Sequence, residues 1–155
     1  MFKTGFDNYI CEGDSIVCQI DGFLITARIV RDDCPDKPDE RDEGFWPSAN
    51  PDKPGYVGRE NIKRIGQLTE RAKAVMAAWL NDEWFYCGLV LSVERAGVTL
   101  TDSAASLWGI ECNYPKDDLR PDYEPNSYLM DVANELLPDA LCEARKAIGR
   151  LCQCQ

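Results

Sequence analysis

Residues 12–31 read EGDSIVCQIDGFLITARIVR, two runs of alternating apolar and polar residues joined by Asp21-Gly22. Asp-Gly supplies the positive φ angles that a tight type I′ turn demands, so the stretch predicts a β-hairpin with strands over 12–20 and 23–31. Ile16, Cys18 and Ile20 fall on one face of the first strand, which marks that face as the one turned to a core.

A similar pattern returns later in the chain. Residues 84–94 are rich in aromatic and β-branched types, and Ala96-Gly97 separates them from Val98-Thr99-Leu100, so a second hairpin is expected. Phe85, Cys87, Leu89 and Leu91 share one face of its first strand, and 107–112 reads as a further strand. Between the hairpins, Ile62, Ile65, Leu68, Ala72, Val75, Met76 and Trp79 recur at the spacing of a helical stripe ending near Asn81. After the second hairpin, Ser127 caps a last helix that buries Leu129, Val132, Ala133, Leu136, Leu137, Leu141, Ala144, Ile148 and Leu151. Pro138 lies inside that register and predicts a kink or two short helices. The order β-β-α-β-β-(β)-α with short hairpin links predicts an α+β fold. It comprises an antiparallel sheet of about four to five strands with two helices packed on one face. Residues 1–155 read as a single domain with a long acidic loop at 32–58.

At 155 residues and 45% hydrophobic content, the chain is long enough to bury a core without metal or disulfide staples. The N-terminal residues MFKTGFD lack a charged region followed by an apolar run, and no stretch approaches the roughly 18 apolar residues of a spanning helix. The expectation is a soluble, cytoplasmic protein with no membrane partner. In that compartment the eight Cys are reduced thiols. Cys18 and Cys87 act as small core residues, while Cys152-x-Cys154 and the Cys11 to Cys18 spacing lack the paired CxxC pattern of structural zinc.

Charge narrows the function. There are 27 Asp and Glu against 17 Lys and Arg, and a formal net charge of −10. Such a chain repels phosphate backbones, which argues against direct nucleic-acid binding. With no His, there is no Ser-His or Cys-His nucleophile pair, and neither a GxxxxGK[ST] nor a GxGxxG phosphate loop occurs. No catalytic residue, metal ligand or cofactor is assigned. Asp82, Glu83, Asp102 and Glu111 flank predicted strands and keep a carboxylate-metal enzyme as a third class of function. The aromatic run 79–86 reads as core at a helix-to-strand corner, since stacking platforms for single strands come with basic grooves. Trp108 has the same core reading.

The acids are concentrated. Residues 32–58 hold eight of them, with five prolines and three glycines, a composition that rules out regular structure through most of the segment. Asp33, Asp36, Asp39 and Asp42 recur every third residue between Pro35 and Pro38. In a polyproline II helix, with its rise of about 3.1 Å per residue, they would line one face at roughly 9 Å intervals and imitate a phosphate row. Asp32, Glu40 and Glu43 add charge beside the row, and Phe45-Trp46 follows as an aromatic anchor at its edge. A second loop, 115–126, repeats the theme with Asp117, Asp118, Asp122, Tyr123 and Glu124. The same composition also suits solvated loops whose charge serves solubility, with Phe45 and Trp46 folded back on the domain.

Two blocks, WLNDEWFYCG at 79–88 and ASLWGIECNYP at 105–115, resemble an uncharacterised family of small acidic proteins carried by phages, plasmids and integrative elements of proteobacteria. The resemblance implies a setting in which inhibitors of host defence, of anti-CRISPR and anti-restriction type, are common. It implies no functional residues. The expectation is therefore a non-enzymatic host-defence inhibitor that acts by protein-protein interaction. As a nucleic-acid mimic it docks on a basic surface of a host protein or nucleoprotein complex. Its expected partner-binding residues are Asp33, Asp36, Asp39, Glu40, Asp42, Glu43, Phe45, Trp46, Asp117, Asp118, Asp122 and Glu124. The alternative is a structural or accessory homo-oligomer of a mobile element, for example a homodimer built on an exposed Trp or on the C-terminal helix.

Overall fold

The computed structural model describes residues 1–33, 36–116 and 122–153, with side chains as far as residue 150. Strands β1 (Ser15–Ile20) and β2 (Phe23–Arg31) form the first hairpin, in which Ile20 opposes Phe23 across the two-residue turn. Asp21 and Gly22 take φ of 52° and 77°, the left-handed pair of a type I′ turn. Strands β3 (Phe85–Arg95) and β4 (Val98–Cys112) repeat the device at Ala96 and Gly97, with φ of 52° and 77°. The four strands make one antiparallel sheet in the order β1-β2-β3-β4, and the protein is of the α+β class. β4 is a single strand that spans both of the shorter runs expected from sequence. Register shifts against β3 let it cross the weak strand formers Asp102-Ser103-Ala104-Ala105 without ending.

Chain contacts define two compact units, Met1–Asp32 with Phe85–Gln155, and Asp33–Trp84. The second is inserted in sequence between β2 and β3, which are nevertheless paired from Phe23↔Arg95 to Arg31↔Cys87. The pairing is extended by the Asp32 N–H, which donates to the Tyr86 carbonyl at 2.9 Å.

In the first unit, alternation along the strands sends Ile16, Phe23, Ile25, Ala27, Ile29, Phe85, Cys87, Leu89, Leu91 and Val93 to one buried face. Helix α3 (Leu129–Gln153) covers that face with Leu129, Ala133, Leu137, Ala140 and Ala144, a spacing of three to four residues. Burying each large side chain there contributes about 1.5–3 kcal/mol. Pro138 lies within one continuous helix rather than between two. It cannot donate to the backbone carbonyl of Asn134; the Asn134 side chain, separately, accepts the Phe2 N–H at 2.8 Å and holds the N-terminus on the core.

A second polar tie closes the other end. Asn113 and Asn126 both adopt left-handed φ, 60° and 67°. Asn126, 4% exposed, accepts the Asn113 N–H at 2.8 Å and donates to the Asn8 carbonyl at 3.0 Å and to Asn113 Oδ1 at 2.9 Å. Asn113 in turn exchanges two bonds with the Ile10 backbone, at 2.9 and 2.8 Å. The N-terminal segment, the end of β4 and the approach to α3 are thus joined through two side chains.

The second unit contains the short helix α1 (Pro38–Arg41), a 3-10 helix over Arg59–Arg64 and helix α2 (Ile65–Leu80). The α2 stripe buries Ala72, Val75 and Ala78. After the helix ends at Asn81, the Trp84 indole N–H returns to the Val75 carbonyl at 2.9 Å, so the buried Trp84 packs back on α2. No helix among the described residues is long and apolar enough to cross a membrane.

Candidate partner-binding surface

The acidic segment is shaped by local hydrogen bonds. Pro38 presets the helical φ at the first position of α1, and the Glu40 carboxylate reaches back to accept the Lys37 N–H at 2.9 Å. The N–H groups of Glu40 and Arg41 both donate to the Lys37 carbonyl at 3.0 Å, and that of Asp42 to Pro38 at 3.0 Å. This turn overturns the expected polyproline II row: residues 38–41 are helical, so Asp33, Asp36, Asp39 and Asp42 do not share one extended face. A Pro followed by Asp-Glu is a helix start as readily as an extended segment, and the Glu40 cap decides between them.

Beyond the turn, Asp42 Oδ1 accepts the Gly44 N–H at 2.8 Å, an Asx turn that delivers Phe45 and Trp46. Their rings meet edge to face, centroids 5.0 Å apart and planes at 87°, the favoured quadrupolar arrangement. The Trp46 indole N–H donates to Asp39 Oδ2 at 3.0 Å, fixing the aromatic pair beside α1, and Trp46 is 41% exposed. The loop then doubles back through a bridge between Ser48 and Tyr56. Gly55 makes the return possible: a Cβ there would lie 1.9 Å from the Trp46 carbonyl oxygen.

The result is a small ledge with an exposed aromatic. Asp33, Asp36, Glu40, Asp42 and Glu43 are exposed, whereas Asp39 is half-buried and committed to Trp46, and Phe45 is half-buried against its neighbour. Residues 33–43 hold six acids against Lys37 and Arg41, so the ledge stays negative. Concentrated charge of one sign with an aromatic held beside it is suited to capture of a cationic surface.

In the other unit, Asp122 is exposed and Glu124 is paired with Lys116 at 3.0 Å, both side chains being mostly solvated. Asp117 and Asp118 lie outside the described residues. Among the described residues no three His, Cys, Asp or Glu side chains come together to hold a metal ion.

Sequence reading missed two features. Trp108 is 49% exposed rather than core. Its indole lies over Gly88, where a Cβ would come within 2.4 Å of the ring. The signal was present as a glycine inside an otherwise bulky strand, which marks close approach by a neighbour. The Asp39–Trp46 bond, seven residues apart, had no such signal. The chain matches no protein-family model, no curated protein and no solved structure.

Proposed function

We propose that the protein is a mobile-element inhibitor of a host defence complex, of anti-CRISPR or anti-restriction type, acting in the cytoplasm of a bacterial host cell. It docks the acidic ledge of α1 on a basic nucleic-acid-binding surface and competes with DNA or RNA, without catalysis or cofactor. The observation that carries this reading is the run of exposed carboxylates Asp33, Asp36, Glu40, Asp42 and Glu43 in the segment whose exposed Trp46 is held by Asp39. A basic groove that ordinarily pairs its Lys and Arg with phosphates would pair them with these carboxylates instead, an attraction that salt screens. The net charge of −10 accelerates such an encounter.

The test is a tagged pull-down from bacterial lysate at low and high salt, with competing DNA in a parallel sample. A nuclease or nucleoprotein complex that salt and DNA both displace is the expected capture. Affinity for that partner is then compared with the variant Asp33→Asn/Asp36→Asn/Glu43→Gln, which removes charge and keeps side-chain size. At about 0.5 kcal/mol per exposed charge, binding weakens about tenfold at low ionic strength. An unaltered affinity removes the ledge from the mechanism.

A second reading, a homo-oligomeric accessory protein, is favoured by β4, an edge strand that carries exposed Val98, Leu107 and Trp108. A dimer on sizing chromatography that resists high salt would select it.

A further inference from the structure

We propose that Cys87 and Cys112 are a cross-strand disulfide site, reduced in a reducing compartment and able under oxidising conditions to join β3 covalently to β4 within the core that α3 covers. Both residues are fully buried. In the β3–β4 register Cys87 opposes Ile110 and Cys112 opposes Phe85, so the two cysteines are diagonal neighbours on the core face. The twist of an antiparallel pair brings one diagonal closer than the other, and here the Sγ atoms stand 2.8 Å apart. A disulfide bond is about 2.0 Å long, so closure needs a further approach of about 0.8 Å.

The same geometry says when the bond forms. In the closed fold one thiol donates its hydrogen to the other sulfur, and this bond, burial and the neighbouring Asp32 charge raise the Cys87 pKa far above the usual thiol range. The attacking species in exchange is the thiolate, so reaction belongs to a state in which β3 and β4 are paired and α3 has not closed over them. With glutathione disulfide as oxidant, the thiolate of one cysteine attacks a glutathione sulfur, forming a mixed disulfide and releasing one glutathione. The second cysteine's thiolate then attacks the protein sulfur of that mixed disulfide and expels the other glutathione. The two protein sulfurs give up two electrons and two protons, and one glutathione disulfide becomes two glutathione thiols. Closure of α3 then buries the bonded pair.

Cys11, Cys18 and Cys142 provide an internal comparison as free thiols that are exposed or half-buried. The test refolds the full chain in a glutathione disulfide/glutathione buffer and, separately, in reductant. Free thiols are alkylated under denaturing conditions and the peptides mapped by mass spectrometry. The expected result is a Cys87 peptide linked to a Cys112 peptide. A bond between residues 25 apart in sequence should raise Tm by roughly 10 °C over the reduced protein, and Cys112→Ala should abolish that gain. Alkylated Cys87 and Cys112 in the oxidised sample would overturn the proposal, as would an equal gain in the variant. The mapping uses the wild-type chain, so the result stands whether or not the variant folds.

Discussion

The tie between Asn113 and Asn126 allows a stability prediction to be worked through. Replacing Asn126 by Ala removes three hydrogen bonds, to the Asn113 N–H, to Asn113 Oδ1 and to the Asn8 carbonyl. Each is worth about 1 kcal/mol net, giving a loss of about 3 kcal/mol. The residue also sits at φ 67°, and placing Ala in that left-handed region adds about 1 kcal/mol. The total of about 4 kcal/mol is a large part of the stability of an ordinary domain. With a urea m-value of about 2 kcal/mol/M, the denaturation midpoint falls by about 2 M. Asn126→Gly separates the two contributions: it loses the same hydrogen bonds without the backbone cost, so it should be about 1 kcal/mol more stable than Asn126→Ala. Urea titration followed by circular dichroism reads both. A loss below about 1 kcal/mol in the Ala variant would mean that water replaces the side chain at no cost, and the tie would not stabilise the fold.

Two further outcomes follow from particular contacts. Burial raises the Tyr128 pKa above its ordinary value, with help from the nearby Glu111 charge, and the hydroxyl donates to the Glu111 carbonyl. The unfolded chain therefore loses this proton first, at about pH 10. The stability contributed by the protonated form is complete below that pH and is lost as pH rises toward the folded pKa. Wild type should lose stability above pH ~10 more steeply than Tyr128→Phe, and equal slopes in alkaline urea titrations would refute the assignment. Gly55→Ala forces apart the backbone at Trp46 and Gly55, so the amides of Ser48 and Val57, which bridge this turn, should exchange with solvent faster by at least tenfold. Unchanged exchange there would show that the loop absorbs a Cβ without opening.

Much of the fold was legible because its signals are local. Asp21-Gly22 and Ala96-Gly97 set the positions of both hairpin turns, since few residue pairs accept two positive φ angles in succession. Helical spacing of apolar residues located α2 and α3, and alternation of two located the core face of β1 and β3. The full length of β4 was not legible, because Asp102 to Ala104 are weak strand formers, and the strand is carried across them by pairing on either side, at Thr101 and Ala105. Nor was α1, where one carboxylate cap outweighs the extended bias of a proline-rich segment.

The candidate surface divides in the same way. The acids and the Phe45-Trp46 pair were visible as composition, and composition determines the sign of the charge and the presence of an aromatic wherever the chain runs. Which carboxylates face solvent was not determined by their three-residue spacing, because the α1 turn commits Asp39 to the Trp46 indole and leaves Asp33, Asp36, Glu40, Asp42 and Glu43 exposed. The meeting of Cys87 with Cys112 and the exposure of Trp108 over Gly88 depend on strand register. So does the Asn113–Asn126 tie depend on segments far apart in sequence arriving together. Local propensity acts over a few residues and so reaches the elements and their buried faces. Contacts between distant residues exist only after the sheet has paired and α3 has closed over it, which is why the tertiary structure alone decided them.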